Sequence, residues 1–134
     1  MSSMKSKKIM VVEDEWVVAE QLCRNLKNLG YTVCVTASTG DEAIRRAEAE
    51  RPDLILMDIV LKGKMDGIEA ADRIKSQFNI PVLYLTAHTN SGYIERAKQT
   101  NPYGYLVKPF NLKELLATIE MALQKHRIDK KIKD

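Results

Sequence analysis

Four short apolar runs in this chain of 134 residues end in side chains that can do chemistry. Glu13-Asp14 follows Lys8-Ile9-Met10-Val11-Val12, and Asp58 follows Leu54-Ile55-Leu56-Met57. Thr86-Ala87 follows Val82-Leu83-Tyr84-Leu85, and Lys108-Pro109 follows Tyr105-Leu106-Val107. A single acid after such a run is an ordinary cap; three carboxylates, a hydroxyl and an ammonium at equivalent places form a complementary set. Two like charges about 4 Å apart repel by roughly 4 kcal/mol at an effective dielectric of about 20, so grouped carboxylates raise a pKa or seek a counter-charge. An all-oxygen donor set without His or Cys favours Mg²⁺ (or Mn²⁺), which binds one or two carboxylates together with a phosphate. The lysine can reach a phosphoryl oxygen and the threonine hydroxyl can donate to another. One carboxylate is then placed as a nucleophile on phosphorus, giving an acyl phosphate.

These residues converge only if the runs lie side by side and parallel. The runs are rich in Val, Ile and Leu, as suits strands covered on both faces, and a fifth, Thr32-Val33-Cys34-Val35-Thr36, ends in nothing of note. Helical stripes separate them: Val18, Leu22, Leu26 and Leu29, closed by Gly30; Ile68, Ala71, Ile74 and Phe78; and Leu112, Leu116, Ile119 and Leu123. Residues 91–100 are the weakest such segment, with only Ile94 and Ala97 facing inward. Thr39-x-x-Glu42, Asp66-x-x-Glu69 and Asn111-x-x-Glu114 read as capping boxes, and Pro52 and Pro81 stand just before strands. The alternation predicts an α/β fold of (βα)5 type, a parallel sheet with helices on both faces in a three-layer sandwich. In such a sheet ligands bind outside the carboxyl ends of the strands, where the reactive set falls.

Composition narrows the class. With 45% hydrophobic and 29% charged residues the chain is long enough for one domain with a real core. No apolar run approaches the roughly 18–20 residues that span a bilayer, so a cytoplasmic chain without membrane insertion is expected. The net charge of +3 belongs to the ends: residues 9–124 hold 13 bases against 16 acids. No basic folded face is visible in the sequence, which argues against direct nucleic-acid binding. Residues 1–7 read as a flexible N-terminal segment, 8–124 as the domain, and 125–134 as a charged helix extension or linker. Cys23 and Cys34 fit no metal or redox spacing and read as buried thiols.

Together, Val12-Glu13-Asp14-Glu15, Leu56-Met57-Asp58-Ile59, Leu85-Thr86-Ala87 and Gly104-Tyr105-Leu106-Val107-Lys108-Pro109-Phe110 resemble a response-regulator receiver domain of two-component signalling. The resemblance covers about residues 8–124 and implies a flavodoxin-like fold, a five-stranded parallel sheet of order 2-1-3-4-5. It implies Asp58 as phosphoacceptor, with Asp14, Asp58, the Val60 carbonyl and, through water, Glu13 holding Mg²⁺. Thr86 would bind the phosphoryl group, Lys108 would bridge to it, and Tyr105 would act with Thr86 as a rotamer switch; Ala87 and His88 would form the rim. Lys108-Pro109 is usually a cis peptide in this family. The implied donor is a sensor histidine kinase or a histidine phosphotransfer domain, and the implied self-association surface is the face of the fourth helix, fifth strand and fifth helix. Such a domain is a switch, phosphorylating and dephosphorylating itself, rather than a turnover enzyme. Glu13 replaces a more frequent Asp, and the loop Val60–Gly67 lacks the usual Pro and is one residue longer than the commonest form. That loop, with Asn101-Pro102-Tyr103-Gly104-Tyr105, resembles receivers attached to sensor kinases, particularly in archaea.

Other classes compete. An aspartyl-nucleophile hydrolase usually needs a second acid two residues after the first, where Val60 stands. A flavodoxin-type redox protein needs a phosphate cradle where Glu13-Asp14-Glu15 would repel one. A receiver-like module without phosphorylation is disfavoured by the complete acid, Thr and Lys set. Trp16 reads as a surface aromatic or a partner contact, and His126 as a cation suited to a helix end.

Overall fold

The computed structural model describes residues 6–87 and 91–133, with the backbone alone described at Cys34, Ser91 and Lys133. Strands β1 (Lys8–Val12), β2 (Thr32–Ala37), β3 (Leu54–Asp58), β4 (Val82–Thr86) and β5 (Gly104–Val107) alternate with helices α1 (Trp16–Asn28), α2 (Gly40–Glu50), α3 (Gly67–Phe78), α4 (Ser91–Gln99) and α5 (Leu112–Lys133). The strands form one parallel sheet, as the alternation predicts, in the order β2-β1-β3-β4-β5 that the resemblance implies.

Strand pleat divides the core into two halves. Met10, Val12, Ile55, Met57, Val82 and Tyr84 point to the face covered by α2, α3 and α4, through Ala43, Ala47, Ile68, Ile74 and Ala97. Ile9, Val11, Leu54, Leu56, Leu83 and Leu85 point to the other face, covered by α1 and α5 through Leu22, Leu26, Leu115 and Ile119. Strands buried on both faces explain the unbroken apolar runs.

The capping signals operate as expected. The Glu42 amide donates to Thr39 Oγ1 at 3.1 Å, and the Glu69 amide to Asp66 Oδ1 at 2.9 Å. At α5 the box is reciprocal: the Glu114 amide donates to Asn111 Oδ1 at 2.8 Å, and the Asn111 amide to Glu114 Oε1 at 3.1 Å. Gly30 follows the C-cap residue Leu29 with φ +99, a left-handed conformation that a Cβ disfavours.

The apolar stripe of α5 differs from expectation. Leu115, Ile119 and Ala122 are buried, with Leu123 partly buried, while Leu112 and Leu116 face solvent. Both sets recur at spacings of three and four, so periodicity cannot separate them. The helix runs unbroken to Lys133, and its contacts pass Gln124. Tyr103 donates to Asp129 Oδ2 at 2.8 Å, the Lys125 ammonium lies 5.4 Å from the Tyr103 ring centroid, and His126 Nε2 lies 2.9 Å from the Asn79 carbonyl. Cys23 is a free, half-buried thiol. No helix among the described residues is long and apolar enough to cross a membrane.

Candidate functional site

The reactive set meets at the carboxyl ends of β1, β3, β4 and β5. One carboxylate oxygen each from Glu13, Asp14 and Asp58 lies within 4.8 Å of the others. Lys108 reaches in from the end of β5, its Nζ 3.1 Å from Glu13 Oε1 and 3.4 Å from Asp58 Oδ2. The strand ladder fixes that approach, the Lys108 amide donating to the Thr86 carbonyl at 2.7 Å. Lys108-Pro109 is cis, as the resemblance implies. Thr86 is buried at the end of β4, and Ala87, the next residue, is exposed. His88 lies outside the described residues.

The two neighbouring acids differ in setting. Glu13 is the buried one, its Oε2 accepting the Glu15 amide at 3.0 Å, whereas Asp14 is half-exposed. Asp58 is buried, and its Oδ1 accepts the Val60 amide at 3.2 Å. Burial first, and then the Glu13 charge, push the Asp58 carboxyl from its usual 3.8 to about 6, against the pull of Lys108. Burial also pushes Glu13 up, but the Glu15 amide, the contact with Asp58 and the Lys108 ammonium outweigh it, leaving Glu13 below its usual range. Burial works against the Lys108 ammonium too; the two carboxylates prevail and raise its pKa.

One residue escaped the sequence reading. A Cβ built on Gly67, the first residue of α3, would sit 2.0 Å from the Asp58 carbonyl oxygen and 3.0 Å from the Ile59 Cα. The Gly67 amide donates to the Ile59 carbonyl at 2.8 Å. The loop after Asp58 thus closes on the end of β3 because position 67 has no side chain. The available signal was a glycine directly after the Asp66 cap, where any residue can start a helix. A second tie, Arg96 to Asp66 at 2.9 Å, joins α4 to the same loop.

Val60, two residues past Asp58, and Trp16, two past Asp14, are exposed at 51% and 72%, and Tyr105 on β5 is exposed at 46%. A separate cleft of about 480 Å³ opens beside the acid pair between α1 and the β2–α2 turn; Asp58 does not line it.

The response regulator receiver domain family matches residues 9–120. The transcriptional regulatory protein PdtaR of Mycobacterium tuberculosis is 36% identical over 121 residues, 90% of this chain and 58% of that protein. The alkaline phosphatase synthesis transcriptional regulatory protein PhoP of Bacillus subtilis is 38% identical over 124 residues, 92% of this chain and 51% of that protein. The chain spans little more than half the length of these curated relatives. Among solved structures, the signal receiver domain of a modulated diguanylate cyclase from Desulfovibrio desulfuricans G20 superposes with a TM-score of 0.88 at 38% identity, over 93% of this chain and 99% of that one. With the sheet order, the convergent acids and the family match in agreement, the chain belongs to the response regulator receiver domains of two-component signalling.

Proposed function

We propose that the crevice takes a phosphoryl group onto Asp58 from the phosphohistidine of a sensor histidine kinase or a histidine phosphotransfer domain. The observation that carries this is the meeting of Glu13, Asp14 and Asp58 within 4.8 Å, with the Lys108 ammonium between two of them. In the transfer an Asp58 oxygen bonds to phosphorus, the P–N bond breaks, and the histidine nitrogen keeps the electron pair. The protein supplies positioning and charge, as phosphoryl transfer chiefly requires. Lys108 would meet the negative phosphoryl group, and the Thr86 hydroxyl and Val60 amide would donate to its oxygens.

The donor set fits Mg²⁺ (or Mn²⁺): it is all oxygen, and its like charges need a cation. Asp14, Asp58 and the Val60 carbonyl would hold the ion, with Glu13 acting through water. When bound, it would neutralise charge on the carboxylates and on the phosphoryl oxygens. The domain is then a switch that also hydrolyses its own acyl phosphate, not a turnover enzyme.

Readout falls to the face of α4, β5 and α5, where Tyr105, Val107, Leu112 and Leu116 are exposed together. Thr86 and Tyr105 sit on paired strands, Thr86 beside Val107, so a shift of Thr86 toward a phosphoryl group has a direct neighbour on that face. A partner or a second copy would dock there, with no direct nucleic-acid contact, in the cytoplasm where the kinase domain works. The test is labelling with radioactive acetyl phosphate: Asp58 should be labelled only with Mg²⁺ present, and Asp58→Asn should abolish labelling with an unchanged far-UV spectrum. Labelling that survives the substitution overturns the assignment.

A further inference from the structure

We propose that the pole of the fold opposite the acidic crevice is a binding cleft for a phosphate monoester carried on a small apolar body, a ligand of mononucleotide size. The cleft lies between the C-terminal ends of α2 and α3 and the last turns of α5, and encloses about 310 Å³. Small-molecule sites run from about 300 to 1,000 Å³.

Lys7, Arg51, Arg127 and Lys130 rim the cavity, against one acid, Asp53. Asp53 Oδ2 already accepts the Lys8 amide at 2.7 Å. None of the four cations has an ion-pair partner among the described residues. The bland explanation is that these cations neutralise the helix ends. The C-caps of α2 and α3, Arg51 and Asn79, both line the cleft, so each helix presents about −0.5 charge there. Two such ends and Asp53 offset about two of the four positive charges, leaving roughly +2. A phosphate monoester carries about −1.5 to −2 at pH 7, which matches that surplus.

The floor supplies the second half of the recognition. Pro52, Pro81 and Leu123 line it with Phe78, and the Arg51 guanidinium carbon lies 5.0 Å from the Phe78 ring centroid. That contact holds the guanidinium at the cleft before a ligand arrives, which reduces the ordering cost of binding. The cations surround a pocket instead of forming a stripe along one face, so a small anion fits better than a nucleic-acid backbone.

The test is an amide NMR titration of the full chain in EDTA, which keeps divalent cations from drawing phosphate to the acidic crevice. Adenosine 5′-monophosphate should shift the Arg51, Asn79 and Arg127 amides with a Kd of about 1 mM or tighter. Inorganic phosphate should bind at the same amides more weakly, and adenosine should not saturate. The double variant Arg127→Ala/Lys130→Ala should bind the nucleotide at least about tenfold more weakly, as loss of charge-assisted hydrogen bonds implies. Unchanged acetyl phosphate labelling would show that it is folded, and Lys7→Ala gives a second, milder reading. Absence of saturating shifts, equal affinity in the double variant, or adenosine or phosphate binding as tightly as the nucleotide would overturn the proposal. So would a short oligonucleotide binding more tightly than the nucleotide.

Discussion

Replacing Asp58 by Asn should stabilise the metal-free protein at neutral pH, although Asp58 is the residue on which the proposed activity depends. The folded state holds the Asp58 carboxyl at about 6 against its usual 3.8. A folded-state pKa above the unfolded value means that the native state binds the extra proton between these limits. Stability therefore falls as pH rises from about 4 to 6, and the full penalty stands above that window. A shift of roughly two units is worth at most about 3 kcal/mol. Asn removes this penalty and keeps an oxygen for the Val60 amide. The Lys108 contact at 3.4 Å favours the charged carboxyl and is already contained in that net shift, and the lysine retains Glu13. The expected gain is about 1–2 kcal/mol at pH 7, or about 3–8 °C in Tm.

The assay is thermal or urea unfolding of both proteins in EDTA at pH 7 and pH 4. At pH 4 the wild-type carboxyl is largely protonated when folded, and the advantage of Asn should nearly vanish. Saturating Mg²⁺ at pH 7 should stabilise the wild type more than the variant, because a ligand that binds only the folded state adds its binding free energy. A variant less stable than wild type at pH 7, or an equal difference at both pH values, would refute the reasoning.

Gly67→Ala should destabilise the fold by about 2–3 kcal/mol and slow labelling of Asp58, because the new methyl meets backbone at 2.0 Å and the β3–α3 loop must move; urea unfolding and acetyl phosphate labelling read the two effects. Asp129→Ala should cost about 1 kcal/mol, read by thermal melting, through loss of the Tyr103 hydrogen bond at 2.8 Å. Truncation of residues 127–134 removes the same contact and should lower Tm, whereas an unchanged Tm would show that the distal turns of α5 do not brace the domain. Val60→Asn should speed spontaneous dephosphorylation, since a polar amide at this exposed position can orient a water in line with the P–O bond; phosphate release from purified phosphoprotein at saturating Mg²⁺ decides it.

Local physics made most of the architecture legible from the residues. Apolar runs too continuous for one-sided strands required a sheet covered on both faces, and the capping boxes at Thr39, Asp66 and Asn111 marked helix starts through short-range hydrogen bonds. Once the runs were parallel strands, their ends had to bring Glu13, Asp14, Asp58, Thr86 and Lys108 together, because parallel strands share one polarity. Other features depended on docking between segments distant in the chain. Leu112 and Leu116 share their spacing with Leu115 and Ile119, so only the seating of α5 on the sheet chose the buried set. Glu13 and Asp14 are chemically alike in sequence; the Glu15 amide and Lys108 decide that Glu13 is the buried partner. Gly67 looked like any helix start until the Asp58 carbonyl came against it. The basic termini read as a flexible segment and a charged extension, yet the fold returns Arg127 and Lys130 to Lys7 and Arg51 around one cleft. Periodicity and capping are written in neighbouring residues, whereas burial order, close approach and charge clustering arise only when distant segments share a surface.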